Sequence, residues 1–336
     1  MRIGIDAMGG DRAPIEEVKG ALAARQFLND GDKIVLIGQT DQLRDRLGTP
    51  SAWKDFIEVH HAGQVVSMDE APVEALRTKP DSSLAVMVRL ASEGGIDACI
   101  SAGNTGACVA AAQMRLRRLR GVHRPGIAVV TPTFHGPVAL CDVGANVNCR
   151  PQHLLQYGIM ASIYVQTVCG VVNPRVGLLS IGEEDAKGTS LVKQTRQLMK
   201  EDPHVNFIGN VEGRDLFGGV CDVMVCEGFV GNVMLKLMEG MAEGVVRALL
   251  AELSISMRGQ EDLVRKAGVG IAAKYDYNEY GGAPLLGVGG ICIICHGASS
   301  YRGIMNAVRV AKDFATGRVN QRITELLGRG EGGQDA

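Results

Sequence analysis

The chain has 336 residues, of which 46% are hydrophobic, so it can bury the core of one large domain or of two interlocked ones. Lys and Arg number 35 against 37 Asp and Glu, and this near-neutral balance argues against nucleic acid as a partner. The composition excludes disorder over most of the chain. The 44 glycines and 4% aromatic residues suit tight loops that let a small anion approach the backbone.

Short apolar strands alternate with helical patterns along the chain, which is typical of parallel α/β architecture. Strands are predicted at 3–6, 33–37, 56–60, 98–101, 127–131, 138–141, 175–180, 205–208, 222–226 and 291–294. Helices are predicted at 14–28, 73–79, 83–93, 103–118, 151–168, 189–200, 231–257, 261–273 and 301–316. Residues 1–327 are therefore expected to form one α/β domain, or two interlocked lobes. Residues 275–290 are predicted to be a loop, and the polar tail 328–336 is predicted to be disordered.

The termini and the cysteines indicate a cytoplasmic protein. The first residues enter a strand pattern without a secretory leader, and no stretch of about 18 apolar residues could span a membrane. The nine cysteines are expected to be reduced and mostly buried. Cys292-Ile293-Ile294-Cys295-His296 matches the C-x-x-C-H signature of haem attachment, but the apolar run around it favours a buried strand. No second ligand pair at regular spacing supports a zinc site.

Glycine-rich polar loops follow several predicted strands, where ligands bind in parallel α/β sheets. Glycine lets backbone N–H groups close on an anion, and a following helix adds its N-terminal dipole. Each loop by itself is equally well explained as an ordinary turn, but their repetition at successive strand ends favours an anion site. The loops are 6–11, 101–106, 142–146, 181–188, 227–232, 280–283 and 296–299.

Common nucleotide and hydrolase motifs are missing from the sequence. It contains no G-x-x-x-x-G-K-[ST], no G-x-G-x-x-G after a strand and no G-x-S-x-G. The predicted anion is therefore small, or is one part of a substrate.

The loops occur in an order and spacing that closely resemble a known family. The matching motifs are 8–11 with Ala13-Pro14, 101–107, 142–146, 228–229 with 231–232, 280–283 and His296-Gly297. Together they resemble the bacterial fatty acyl-[acyl carrier protein]:phosphate acyltransferases, the PlsX family, from residue 1 to about 318. The resemblance implies a three-layer α/β/α fold with a mostly parallel sheet, like isopropylmalate dehydrogenases and phosphate acetyltransferases.

The resemblance also implies a reaction and its partners. Inorganic phosphate would attack the thioester of a long-chain acyl-acyl carrier protein, giving acyl phosphate for phospholipid synthesis without a cofactor or a metal. A homodimer is implied. So is peripheral contact with the inner face of the cell membrane and with the downstream glycerol-phosphate acyltransferase.

Site residues are expected where the motifs match. The phosphate-binding candidates are Ser101, Gly103, Asn104, Thr105 and Gly106. Lys187 is a candidate countercharge, Asn146 and Asn232 are candidate donors to the substrate carbonyl, and His296 is a candidate proton carrier or orienting donor. Lys187 is equally well explained as a surface lysine, and His296 as a hydrogen-bonded structural histidine. Loop-supporting roles are expected for Asp6, Gly9, Gly10, Asp11, Asp142, Gly228, Gly281 and Gly282.

Two departures and three rival functions remain at this stage. Glu227 stands where the family usually has Asp, and the charged segment 258–262 interrupts a helical pair at about 241–273. That pair is expected to project and to present an apolar face to a membrane or to a second copy of the chain. The rivals are an acyl-coenzyme A-dependent phosphate acetyltransferase, a metal- and NAD-dependent dehydrogenase, and a non-enzymatic carrier-binding protein.

Overall fold

A computed structural model describes residues 1–257, 259–274 and 277–328 of the chain. In this part of the chain the strands are β1 (Arg2–Asp6), β2 (Lys33–Gly38), β3 (Ile57–His61), β4 (Ala98–Ser101), β5 (Gly126–Thr133), β6 (Gly136–Cys141), β7 (Arg175–Leu179), β8 (Asn206–Val211), β9 (Val223–Val225), β10 (Ala283–Leu286) and β11 (Ile291–Ile294). The helices are α1 (Ile15–Ala23), α2 (Thr40–Leu47), α3 (Pro72–Thr78), α4 (Ser83–Ser92), α5 (Thr105–Arg115), α6 (Pro151–Val168), α7 (Ser190–Glu201), α8 (Gly228–Ser256), α9 (Glu261–Lys274), α10 (Tyr301–Thr316) and α11 (Val319–Leu327).

All these strands join one sheet in the order β3-β2-β1-β4-β11-β10-β5-β6-β9-β7-β8. Strands β1 to β4 and β11 run parallel, β10 is antiparallel to both β11 and β5, and β5 and β6 form an antiparallel hairpin. Strands β6, β9, β7 and β8 are again mutually parallel. The mostly parallel sheet predicted from the sequence is therefore confirmed. However, the last group runs opposite to the first, so their carboxyl ends lie at opposite edges of the sheet.

The two faces of the sheet carry separate apolar cores, because successive strand side chains point to opposite sides. In β2, Ile34 and Leu36 belong to one core, whereas Val35 and Ile37 belong to the other. Helices α1, α6 and α10 contribute to the first core, and α4 and α5 to the second. Burial of both strand faces explains why the sequence shows continuous apolar runs rather than alternation.

Helix starts follow capping chemistry that is visible in the sequence. Ser82, Asn104 and Thr189 accept hydrogen bonds from backbone N–H groups in the first turns of α4, α5 and α7. Helix α6 begins with Pro151, where a missing N–H removes no intrahelical bond. These residues explain why those four helix starts were placed within two residues of their observed positions.

Several sequence-based boundaries were wrong. The predicted loop 275–290 contains the buried strand β10, whose four residues pair with β11 and β5. Helices α2 and α11 were not predicted, although Leu43, Leu47 and Ile323 are buried. The helix predicted to reach 118 ends at Arg115, and Arg117 then adopts a left-handed φ of 59°. Short elements of this kind depend on tertiary pairing rather than on local periodicity.

The predicted helical pair is present as α8 and α9. The two helices pack together where Leu250 meets Gly268, and Val264 is buried. The predicted disordered tail, apart from Gly328 next to α11, lies outside the described residues. No helix in the described residues is long and apolar enough to cross a membrane.

Candidate functional site

Buried hydrogen bonds that link Asp6, Ser101 and Gly103 stabilise the loop after β4. The Ser101 hydroxyl donates to the Asp6 carboxylate at 2.8 Å and accepts the N–H of Gly103 at 3.1 Å. Gly9 packs so closely on this loop that a Cβ there would lie 2.9 Å from the backbone of Gly103. Glycine at position 9 is therefore required by close backbone approach.

Asn104 fixes the loop rather than offering a free donor. Its Oδ1 accepts the N–H of Ala107 at 3.0 Å, so Asn104 caps α5. Its Nδ2 donates to the carbonyls of Ser67, Met68 and Glu70 at 3.1–3.2 Å. The side chain thus ties segment 67–70 to the start of α5.

The first turn of α5 is open to solvent. Thr105 and Gly106 are exposed, and within the described chain no protein group accepts a hydrogen bond from their backbone N–H groups. Free N–H groups at a helix start, together with the helix dipole, favour a bound anion.

Loops after β1 and β11 lie beside this turn. The N–H of Asp11 donates to the carbonyl of Gly297 at 2.9 Å. His296 is exposed, and its Nδ1 accepts the N–H of Ala298 at 3.1 Å. Gly281 and Gly282 form a turn before β10, with φ of 73° and 85°. A Cβ on Gly281 would lie 2.4 Å from the backbone of Asn306, and the start of β10 pairs with the end of β11.

Two buried carboxyl groups lie under these loops: Asp6, which the sequence analysis named as loop-supporting, and Glu17, which it missed. Asp6 and Glu17 are each 2% exposed, and Glu17 Oε2 has no partner among the described residues. A Cβ on Gly10 would lie 2.3 Å from Glu17 Oε1. Burial raises the pKa of Glu17 to about 7 and also raises the pKa of Asp6, against hydrogen bonds from Ser83 and Ser101. Helical spacing gave the signal, since Glu17 shares the apolar face of α1 with Ala21 and Ala24.

A second group of predicted residues lies around Asp142. Its carboxylate accepts backbone N–H groups from Ile127, Gly144, Ala145 and Asn146 at 2.8–3.2 Å, while burial raises its pKa against these bonds. Asn146 Nδ2 donates to the Pro125 carbonyl at 2.6 Å and to the Tyr157 hydroxyl at 2.8 Å. The side chain of Asn146 therefore stabilises the loop.

The start of α8 completes this second group. The N–H of Gly228 donates to the Asn146 carbonyl at 2.8 Å, and Asn232 Nδ2 donates to the Val143 carbonyl at 3.1 Å. Glu227 caps α8 by accepting the N–H groups of Phe229 and Val230 at 2.7 and 3.0 Å. The longer side chain of Glu227 is thus accommodated as a helix cap.

Lys187 is exposed in the loop after β7. Its backbone N–H donates to the Glu184 carbonyl at 3.0 Å, and this carbonyl also accepts Asn210 Nδ2 at 3.1 Å. Arg196 pairs with Asp185 in the same loop. Among the described residues, no hydrogen bond or ion pair involves the ammonium group of the exposed Lys187.

Strand directions divide the candidates into two groups. Asp6, Ser101 to Gly106 and His296 lie at the carboxyl edge of β1, β4 and β11, whereas Asn146, Lys187 and Asn232 lie at the opposite edge. Four strand spacings separate β4 from β6, or about 19 Å at ~4.8 Å per spacing. One chain therefore does not gather all the predicted residues at one strand edge, and their roles remain predictions.

The first three residues of the C-x-x-C-H segment lie in the buried strand that the sequence indicated, and Cys295 and the exposed His296 follow it. Cys292 and Cys295 face the two different cores, and Cys292 Sγ lies 3.6 Å from Cys108 Sγ. Burial raises the pKa of Cys295 to about 12. In the described part of the chain, no three His, Cys, Asp or Glu side chains cluster as metal ligands would.

Comparison with known proteins identifies relatives over almost the whole chain. The model of the family described as fatty acid synthesis protein matches residues 1–322. A phosphate acyltransferase of Geobacter sulfurreducens is 47% identical, with 97% of this chain and 94% of that protein covered. One of Geotalea uraniireducens is 46% identical with the same coverage. A phosphotransacetylase structure from Streptococcus pyogenes superposes with a TM-score of 0.61 at 15% identity, covering 94% of each chain. The predicted three-layer α/β/α fold, similar to phosphate acetyltransferases, is confirmed.

Proposed function

Because the chain belongs to the fatty acid synthesis protein family of phosphate acyltransferases, we propose that it transfers a long-chain acyl group from acyl-acyl carrier protein to inorganic phosphate. The acyl phosphate formed would supply phospholipid synthesis. The exposed first turn of α5 carries this proposal, since the backbone N–H groups of Thr105 and Gly106 would donate hydrogen bonds to one phosphate.

The chemistry needs little beyond positioning and charge stabilisation. A phosphate oxygen attacks the thioester carbonyl, the C–O bond forms, and the C–S bond breaks to release the carrier thiolate. His296, exposed beside the phosphate loop, would take the proton that the attacking hydrogen phosphate loses and pass it to that thiolate. Both thioester and acyl phosphate are activated, so no ATP is required. Ser101, Gly103 and Asn104 would act by shaping the loop, as would the Asp6 and Gly9 contacts.

The opposite edge of the sheet, at the carboxyl ends of β6, β7 and β9, would bind the part of the substrate that does not react. We propose that Lys187 meets an anionic group there, and that Asn232 orients the loop at the start of α8. Asn146 and Asp142 would hold that loop rigid through the bonds described above.

An exposed apolar row on α8 supports the proposal of a homodimer. The row consists of side chains four residues apart that are each 44–61% exposed: Phe229, Val233, Leu237, Met241, Val245 and Leu249. Such a continuous row is unusual for a surface in water. Alternatively, this apolar row would contact the cytoplasmic face of a membrane. Sedimentation of the chain with and without anionic vesicles separates a dimer from vesicle-bound monomers.

Phosphate-dependent thiol release tests the reaction. The purified chain is incubated with long-chain acyl-acyl carrier protein or with acetyl-coenzyme A, each with and without phosphate. We expect release only from the carrier substrate with phosphate. Equal kcat/KM with acetyl-coenzyme A would favour a phosphate acetyltransferase, a function that the shared fold also allows. No release from either substrate would refute the proposal.

A further inference from the structure

A basic segment spans the last residue of α5 and the loop that follows it. Between Ala98 and Cys141 the sequence contains no Asp, Glu or Lys, although the whole chain carries a net charge of −2. The exposed side chains of this segment, here called the arginine segment, are Arg115, Arg117, Arg118, Arg120, His123 and Arg124. Five arginines without a compensating carboxylate form a local positive field on a near-neutral protein.

Among the described residues, the arginine segment has no carboxylate partner. In the described residues no ion pair includes any of its five arginines, and Arg118 and Arg124 contact only the His123 carbonyl and the Asn146 amide oxygen. Burial is the largest cause of the lowered pKa of His153 on α6, and the positive charges of Arg124 and Arg150 lower it further. The positive field of the segment therefore extends to α6. Exposed guanidinium groups therefore remain available to an external anionic partner.

The backbone of the arginine segment is fixed. The N–H of Leu119 donates to the Gly287 carbonyl, and the N–H of Gly289 donates to the Arg117 carbonyl, at 3.0 Å each. The side chain of Gln156 on α6 fixes the later part of the segment, because it donates to the Gly121 carbonyl at 2.7 Å and accepts the N–H of His123 at 2.8 Å. A fixed backbone loses less entropy when a partner binds.

The arginine segment also borders a groove of about 470 Å³. It lies at the opposite end of α5 from the candidate phosphate site. The groove is lined by Gln113, Arg117, Arg118, Leu119, Arg120, Gly121 and Val122. Helix α5 begins at the phosphate loop and ends at this segment, and its 11 residues span about 16 Å at ~1.5 Å per residue. A carrier docked on the segment would therefore lie about 16 Å from the phosphate loop, measured along α5.

We propose that the arginine segment is the docking surface for the acidic face of the acyl carrier protein. This inference rests on the proposed function, which supplies the carrier as substrate. Arginine suits it because the planar guanidinium binds carboxylates in two-point fashion. A lipid surface is less well matched, since Leu116 and Leu119 are half-buried and Val122 is buried, so that Met114 and Val147 are the separated large apolar side chains exposed near this segment.

Charge reversal tests the docking surface. The variant Arg117→Glu with Arg120→Glu is compared with Arg44→Glu with Arg46→Glu, a matched reversal of two exposed arginines on α2. We expect the first variant to raise KM for acyl-acyl carrier protein on the order of tenfold, with kcat retained and the salt dependence of kcat/KM flattened. Activity with a small acyl-pantetheine thioester should stay at the wild-type level in both variants.

Direct binding separates this inference from the proposed function. Fluorescence anisotropy of labelled carrier protein measures docking without turnover, so lost binding in the first variant supports docking even if the wild type transfers no acyl group. Equal carrier affinity in the two variants would overturn the inference. It would also be overturned if the first variant kept its carrier affinity and lost only binding to phosphatidylglycerol vesicles.

Discussion

Glu17→Gln should remove a pH-dependent penalty on the folded state. Burial favours the protonated carboxyl, raising its pKa from an ordinary 4.5 to about 7. Between these values the folded chain binds more protons than the unfolded chain, so the free energy of unfolding falls as pH rises and the loss is complete above about pH 7. At about 1.36 kcal/mol per pH unit, the difference corresponds to about 3 kcal/mol.

Urea unfolding of wild type and variant between pH 4.5 and 8.5 measures this penalty. The glutamine amide resembles the neutral carboxyl, so the variant should gain about 3 kcal/mol relative to wild type across that range. Titrating groups that do not interact with Glu17 cancel in the difference. Exposed Glu93→Gln serves as the control for removing one charge. A difference between wild type and Glu17→Gln that stays constant with pH would refute the assignment of a buried, protonated carboxyl at this position.

Three further predictions concern named contacts. Asn104→Asp should abolish phosphate-dependent turnover, because it replaces donors to three carbonyls with a repelling carboxylate; unchanged turnover would contradict it. Lys312→Met should lower the free energy of unfolding by about 3 kcal/mol, since it removes one of the two cations that pair with the buried Asp32 carboxylate and leaves only the N-terminal ammonium and the N–H of Asn29 as its partners among the described residues; urea titration at pH 7 checks this. Glu227→Ala should cost about 1 kcal/mol through loss of the α8 cap, and Glu227→Asp, which can still cap the helix, should cost less by the same titration.

The sequence by itself determined most of the longer helices and strands and the residue types of the loops, although it missed α2, α11 and β10. Periodicity and caps located helices such as α6, because local hydrogen bonds and one buried face define a helix. The glycine motifs indicated the exposed turn at Thr105 and Gly106 that is proposed to bind an anion, since free N–H groups after a strand depend on local backbone geometry.

Only the tertiary structure decided which loops meet. The reversal at the β5–β6 hairpin places Asn146 and Lys187 at the opposite edge from Ser101, and no local pattern reports strand direction. Likewise, β10 is a strand because β11 and β5 pair with it, and the burial of Glu17 follows from how α1 packs under Gly10. Long-range pairing and packing set these features, whereas the sequence pattern reports only short-range preferences.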